Sequence, residues 1–575
     1  MKTKLMKKEL RLILSLVYFF STTYIQSQTL NWSKSFGGNE LDAPSSIIVD
    51  DIGNIYTIGG FSDTVDFDPN SSSANMTSNG STDVYIQKLD KDGNFIWIKT
   101  LGGTGQDYGL SICKDNSNNI YVVGYFSDTV DFDLGAGIDN ITSNGGLDAF
   151  LLKLNSDGDV LLKRAFGGIG RDKPNSIAID SDNTIYVAGE FQQTVDFDSG
   201  INTNNISTIG GTDLFVLKLD LNADFIWVKS IGGYGDIPDI TAGITGAKEI
   251  ALDTSGNIYL TGLYSRDTDF DPGVNISKLT SNGQYYIFVL KLDTNGNYLW
   301  AKSMGNNFYP SSGRAITVDN FGNVFTTGYF WQTVDFDPGS GVYNLSSNGN
   351  FEIYIQKLNT NGDFVWAKSI GSENQDIGTS IITDSTGDIY ISGHFSNLVD
   401  FDPSNSIINL TSEGSLDIFL LKLDTNGSFK WVKSIGSDSV DESSTVTIDN
   451  TGNLYLTGRF SNTMTFDFGN GSNDLTSNGN SDVFTLKFSL NTLSTNNNEM
   501  LATISFFPNP TNNKLTIISN ENFNISIYDI NGRIVKRVTK NTKELSLYLK
   551  NLTPGLYLLK GENLKGSFSE RIIVN

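Results

Sequence analysis

Seven near-copies of one segment follow one another along most of this chain, and that periodicity constrains the fold more than any other property. The phenylalanine of a "VDFD"-like motif stands at Phe67, Phe132, Phe197, Phe270, Phe336, Phe401 and Phe466, with spacings of 65, 65, 73, 66, 65 and 65 residues. Two more markers keep the period. One is the aspartate closing runs such as "SIIVD" (Asp50, Asp115, Asp180, Asp253, Asp319, Asp384, Asp449), and the other is the lysine of runs such as "YIQKL" (Lys88, Lys153, Lys218, Lys291, Lys357, Lys422, Lys487). Within a unit, short apolar runs are bounded by Asp, Asn and Gly, as in "SIIVD-DIG-NIYTIGGF" and "DVYIQKL-DKDG-NFIWIKTLGG". This predicts four antiparallel strands per unit, A to D, joined by tight turns. Both faces of the strands are largely apolar, so each sheet has to be covered on both sides, which radial stacking of blades achieves.

The ends of the array sharpen the expectation. Strand D is marked by Trp or a substitute followed two residues later by a base: Trp32/Lys34, Trp97/Lys99, Leu162/Arg164, Trp227/Lys229, Trp300/Lys302, Trp366/Lys368 and Trp431/Lys433. The first of these precedes every A strand and none follows Lys487, so the last unit lacks its own D strand and "LNWSKSFGG" is left over to supply it. The expected fold is all-β, a seven-bladed β-propeller over residues 29–488 closed by residues 30–36. Units of the form "SIAID…NTIYVAGEF…TVDFD…GGTDLFVLKLD…FIWVKSIGG" resemble the SBBP-type β-propeller repeat of bacterial secreted proteins, over roughly residues 29–488. The resemblance implies a fold and leaves function open, since propellers host binding and catalysis alike.

Both termini carry address signals. A basic "MKTKLMKKELR", an apolar "LILSLVYFF" and a polar exit predict a signal peptide over residues 1–28. Nine apolar residues are too few for a spanning helix, which needs about 20, so no transmembrane insertion is expected. After Lys487 the period stops, residues 489–500 read as a polar linker, and residues 501–575 alternate apolar positions around "NG" and "PG" turns, as a small C-terminal β-sandwich does. With "FPNP" at Phe507–Pro510, "NISIYDINGRIVKRV" and "LTPGLYLLK", this tail resembles the type A sorting domain of the type IX secretion system. That resemblance implies the secretion machinery as partner, and a secreted or cell-surface location in a Gram-negative bacterium.

Residues 29–499 hold 25 basic and 58 acidic side chains. Such a surface repels nucleic acid and anionic lipid and excludes them as expected partners. The single cysteine, Cys113, rules out an intrachain disulfide and reads as a small buried hydrophobe. The single histidine, His394, occupies a slot that holds Gly60, Tyr125, Glu190, Leu263, Tyr329 and Arg459 in the other units, which reads as a tolerant, outward-looking position without a catalytic role. No catalytic residue is expected. The turns "LDKDGN" and "NSDGD" start like an EF-hand loop but miss its register and its closing glutamate, so they read as hairpins. Asp66 and Asp68 with their repeats read as blade markers, with calcium binding as the alternative and no other cofactor implied. The invariant C-strand lysines are expected to pair with the Asp50-type carboxylates, because an unpaired buried ammonium is costly.

Function is sought where the units differ. From each D-strand base to the next Asp50-type residue the count is 16, 16, 16, 24, 17, 16 and 16, so one insertion falls within Ser230–Glu249. Tyr234, Asp236 and Asp239 of this connection, with Tyr108, Phe308 and Tyr309 of other D–A connections, are the candidate ligand-binding residues for a glycan or protein. A non-catalytic surface binding or adhesion protein is the first reading. A carbohydrate-active hydrolase or lyase using loop carboxylates, and a structural surface component, are the alternatives.

Overall fold

The computed structural model describes residues 27–491 and 504–575, apart from 71, 201, 235–242, 283–284, 307, 405, 468–471, 520, 529–533, 551 and 564–565. The signal segment up to residue 26, linker residues 492–500, and the inserted Asp236 and Asp239 lie outside the described residues. The described residues are all-β, in many small sheets. The chain divides into two compact units, one spanning Leu30–Ser489 and the other including Leu490–Asn575.

In the first repeat, strands A (Ala43–Val49), B (Ile55–Phe61), C (Asp83–Leu89) and D (Phe95–Leu101) pair in that order, all antiparallel. Aspartates set the turns by taking up the backbone N–H groups that a tight turn exposes. Asp50 Oδ1 accepts from the N–H of Ile52 (3.1 Å) and Asn54 (2.8 Å), and Asp90 Oδ1 accepts from the N–H of Asp92 and Asn94 (both 2.8 Å). Gly53 and Gly93 take φ of 91° and 80°, where a side chain would be strained.

The same four-strand order recurs down the repeats, and the last sheet contains strands from both ends of the array: Ser27–Phe36, Asp482–Asn491, Asn453–Phe460 and Glu442–Ile448, in that order. The N-terminal strand therefore takes the D position of the last unit. Polar contacts join the last unit to the first in the manner of any two neighbours. Trp97 Nε1 and Lys88 Nζ both donate to Ser156 O of the next C–D turn (3.2 and 2.7 Å), and Trp32 Nε1 and Lys487 Nζ both donate to Lys91 O of the first unit's turn (3.2 and 3.0 Å). Ser444 Oγ and Thr445 Oγ1 donate to Pro44 O (2.7 Å) and Ser45 O (2.8 Å). Arg164, standing where the other D strands have Lys, reaches Ala223 O, further along the next C–D turn, with its Nε at 3.1 Å.

The invariant lysines are held differently from the expectation. Lys153–Asp115 (3.4 Å), Lys291–Asp253 (3.9 Å) and Lys422–Asp384 (3.8 Å) do pair. The contact shared by all seven lysines is instead with a ring: each Nζ lies over an aromatic B-strand residue, from 4.8 Å at Tyr121 to 5.2 Å at Tyr455. A ring quadrupole and a neighbour's carbonyl serve a buried or half-buried ammonium as well as a carboxylate does.

The "TVDFDP" stretch adds a ribbon the four-strand expectation lacks. Thr64–Asp66 pairs with Asn75–Thr77, and Phe67 is buried against Phe61 (5.2 Å) and Tyr85 (5.5 Å). Asp66 Oδ1 accepts from the N–H of Asp68 (3.1 Å) and Ala74 (2.8 Å), fixing the B–C connection, while Asp68 Oδ1 accepts from the N–H of Asn70 (2.9 Å). In the last unit, where Thr465 replaces the first aspartate, the ribbon instead runs on through Thr463–Asp467.

The C-terminal unit packs a three-stranded sheet (Ser505–Phe507, Lys514–Ile518, Glu544–Tyr548) and a four-stranded sheet (Ile534–Lys540, Phe523–Tyr528, Gly555–Asn563, Gly566–Val574) around Leu515, Ile517, Ile525, Leu547, Leu559 and Ile572. "FPNP" ties its entry strand to its last one, as Asn509 Nδ2 donates to Arg571 O (2.6 Å) and Asn509 Oδ1 accepts from Ile573 N–H (2.9 Å).

Candidate functional site

The A strands of all seven repeats contribute to one cavity of about 610 Å³, through Pro44, Tyr108, Asn175, Lys248, Arg314, Ile377 and Glu442 among others. It lies where the D–A connections enter strand A and where strand B ends. There each unit presents one cross-strand pair: Ala43 and Gly60, Tyr108 and Tyr125, Lys173 and Glu190, Gly246 and Leu263, Ser312 and Tyr329, Ile377 and His394, Glu442 and Arg459. No two of these pairs are alike, although the strands that carry them are repeats. The slot read from sequence as outward-looking turns inward in two units: His394 and Arg459 line the cavity, and His394 is only 7% exposed. The variability of the slot was itself the signal, since the end of a repeated strand diverges where the copies meet around an asymmetric space.

The cavity is basic inside an acidic protein. Lys248, Arg314 and Arg459 line it against one carboxylate, Glu442. Arg459 Nε donates to Glu442 Oε2 (2.8 Å), and Lys248 lies 3.6 Å from Glu190. Arg314 sits 5.4 Å from the centre of the Tyr329 ring and has no carboxylate in ion-pairing range among the described residues. Both nitrogens of His394 lack a hydrogen-bond partner among the described residues. Burial pushes its imidazole below the ordinary value, with Glu442 opposing, so it is neutral near pH 7 and offers one donor and one acceptor.

An aromatic row leads away from Arg314. Tyr329 packs on Phe351 (4.5 Å), Phe351 on Trp331 (5.5 Å), and Trp331 on Tyr309 (4.5 Å). Trp331 is peculiar to this unit, since the equivalent positions hold Ser62, Ser127, Gln192, Ser265, Ser396 and Ser461.

Of the residues expected from sequence, Tyr108 lines the cavity, stacks on Tyr125 (6.1 Å) and donates its OH to Ala43 O (3.2 Å). Tyr309 belongs to the aromatic row, and Phe308 beside it is 77% exposed. Tyr234 lies in a two-residue strand, Gly233–Tyr234, paired with Asp267 and Thr268. His394, Arg314, Arg459 and Trp331 were not among the expected residues.

Buried carboxylates also escaped the sequence reading. Asp42, in the first D–A connection, is fully buried, and its oxygens accept from the N–H of Gly38 (2.7 Å) and Ser62 (3.1 Å). Asp107, Asp172, Asp376 and Asp441 repeat the arrangement, while Thr245 and Ser311 stand in the other two units. Burial raises Asp42 and Asp172 to about 7, and Asp107 and Asp441 to about 6. Each carboxylate clamps two loops, and its repetition marks it as scaffold.

Residues 505–575 match the family model described as secretion system C-terminal sorting domain. The tail is a type IX secretion sorting domain. The sorting domain places the protein at the cell surface or in the extracellular space of a Gram-negative bacterium, with the type IX machinery as its export partner. No described helix is long and apolar enough to cross a membrane. Ahead of the sorting domain the similarities are weaker. The chain is 23% identical over 503 residues to an uncharacterized WD repeat-containing protein of Acanthamoeba polyphaga mimivirus, covering 75% of this chain and 36% of that one. It is 26% identical over 110 residues to the regulatory protein FlaEY of Caulobacter vibrioides, covering 19% of this chain and 12% of that one. The chain thus spans well under half the length of either relative. Among solved structures it is similar to PorZ, a bacterial surface component of the type IX secretion system of Porphyromonas gingivalis, with 10% identity and a TM-score of 0.16 over 96% of this chain and 100% of that one.

Proposed function

We propose that the repeats ahead of the sorting domain form a closed seven-bladed propeller of the SBBP type, and that this propeller is a non-catalytic binding or adhesion head for a glycan or protein ligand. Closure is supported by the N-terminal strand in the last sheet and by the contacts of Trp32 and Lys487 with Lys91 O. The WD repeats named in the mimivirus relative, a four-stranded blade type, agree with it. The binding role rests on one observation: unlike side chains gather at the cavity while the scaffold around it repeats. A catalytic reading gains no support from the buried carboxylates, because Asp42 and its counterparts are committed to backbone N–H groups in five units.

Two measurements test this reading. On a glycan array and against polysaccharide substrates, the purified mature protein is expected to bind without shortening any chain, whereas depolymerisation would replace the binding role with a hydrolase or lyase. The second concerns calcium. Asp66 Oδ1 and Asp68 Oδ1 face N–H donors, an arrangement suited to turns and unsuited to a hard cation. Excess EDTA is therefore expected to leave Tm unchanged, and a drop reversed by added calcium would establish a metal role.

A further inference from the structure

We propose that the cavity binds an acidic sugar, a pyranose bearing a carboxylate such as a uronate, with Arg314 holding the carboxylate and His394 meeting a neighbouring hydroxyl. The inference rests on the binding role above and adds the ligand class.

Three independent features point the same way. Arg314 is a lining cation with no carboxylate partner among the described residues, whereas Arg459 and Lys248 are engaged by Glu442 and Glu190. A planar guanidinium with free donors matches a carboxylate in bidentate fashion. It does so inside a protein whose repeats otherwise carry 58 acidic against 25 basic side chains, so the local preference for an anion runs against the global charge.

His394 supplies the second feature. A side chain 7% exposed with both ring nitrogens unpartnered is an unusual expense in a folded protein, and it faces the cavity. A neutral imidazole offers one donor and one acceptor, which is what a sugar hydroxyl requires in return. A bare inorganic anion would use only the donor.

The third feature is the aromatic row of Tyr329, Phe351, Trp331 and Tyr309 that starts at Arg314. Aromatic side chains beside a cavity favour ligands with apolar faces and polar edges, as pyranose rings are. Arg314 thus stands between the cavity and this row, in the one unit whose Ser62-type position has become a tryptophan.

The test uses the full mature chain and isothermal titration with sodium glucuronate, sodium galacturonate, a galacturonate tetramer and, as the neutral control, glucose. Binding of at least one uronate probe without glucose binding is expected. Arg314→Gln, a substitution at an exposed side chain that leaves the fold intact, should weaken that binding by about tenfold or more, the size of a lost charge-assisted contact. His394→Gln, which keeps a donor and an acceptor, should weaken it less than His394→Phe, with circular dichroism confirming that each variant is folded. Tetramer binding well above monomer binding would identify a polymer segment as the source of the carboxylate, and equal binding a free acid. Uronate binding unchanged in Arg314→Gln overturns the proposal, as does glucose binding equal to uronate binding. If no acidic sugar binds while the glycan array shows neutral glycans bound, the ligand class is wrong and the binding role stands; if neither assay shows a ligand, both fall.

Discussion

Replacing Phe36 by alanine is expected to destabilise the repeat region by about 3–5 kcal/mol, the usual range for deleting a buried aromatic side chain. Phe36 comes from the N-terminal strand, which belongs to the last sheet, yet its ring packs on Phe67 (4.9 Å) and Tyr85 (5.2 Å) of the first unit. It occupies the place that Phe166 holds inside the array, where that ring packs on Phe197 (5.7 Å) and Phe215 (5.9 Å). If first and last units join as any two neighbours do, Phe36→Ala and Phe166→Ala should cost the same within about 1 kcal/mol. An open array predicts otherwise, because its end units have neighbours on one side only and fray at lower cost. Urea unfolding followed by tryptophan fluorescence measures both variants. A loss below about 1 kcal/mol for Phe36→Ala beside a full loss for Phe166→Ala would remove the closed ring. Deleting residues up to 36 should do more than the point change, since it bares the edge of Asp482–Asn491 and invites pairing with other chains.

Much of this architecture was legible because repetition averages away local ambiguity. One "DIGN" is a weak hairpin signal, whereas seven aligned copies with Asp50-type residues are a strong one. Counting D-strand markers against A strands also places the N-terminal strand in the last sheet, where it is found. The ribbon at Thr64–Asp66 was missed because three residues are too short a run for an alternation to register. The lysine partners were half legible: a C-strand lysine needs compensation, but sequence cannot tell a carboxylate from a ring and a carbonyl that folding brings from the next unit. The cavity was the least legible part. Two of its residues, His394 and Arg459, stand at one slot that varies from unit to unit, and variability within a repeat looks like tolerance until the copies are seen to converge. The longest D–A connection stands out by its length, whereas Trp331, just after strand B, departs from its counterparts by a substitution that changes no length.

Lowering the pH from 8 to 5 is expected to stabilise the repeat region, opposite to the trend of a protein held by surface ion pairs. Asp42 and Asp172 are raised to about 7, and Asp107 and Asp441 to about 6, in each case chiefly by burial. The unfolded chain ionises these groups near the ordinary value of about 3.9. Between the two values the folded state binds more protons than the unfolded one, so stability falls as pH rises and is regained as pH drops. Each proton taken up on folding contributes a slope of about 1.4 kcal/mol per pH unit. Below that window the sign reverses. Asp90, Asp115, Asp253, Asp293 and Asp449 are held below the ordinary value by hydrogen bonds from their turns and, at several of them, by a nearby lysine, against an opposing effect of burial. Their stabilisation is present above the unfolded value and is lost as they protonate, which sets the optimum near about pH 4–5. Relief of repulsion among surface carboxylates has the same sign between pH 8 and 5, but 0.5 M salt screens it and leaves the buried groups untouched. Urea midpoints at pH 5, 6, 7 and 8 in 0.5 M NaCl should therefore fall from pH 5 to about 7 and level off above it, and Asp172→Asn should flatten the slope, because the amide takes up no proton in this range, and should lose stability because one of its two terminal groups cannot accept from Gly168 or Gln192 N–H. A midpoint flat or rising over this range would mean that the buried carboxylates stay ionised in the fold, held by their N–H donors against the cost of burial.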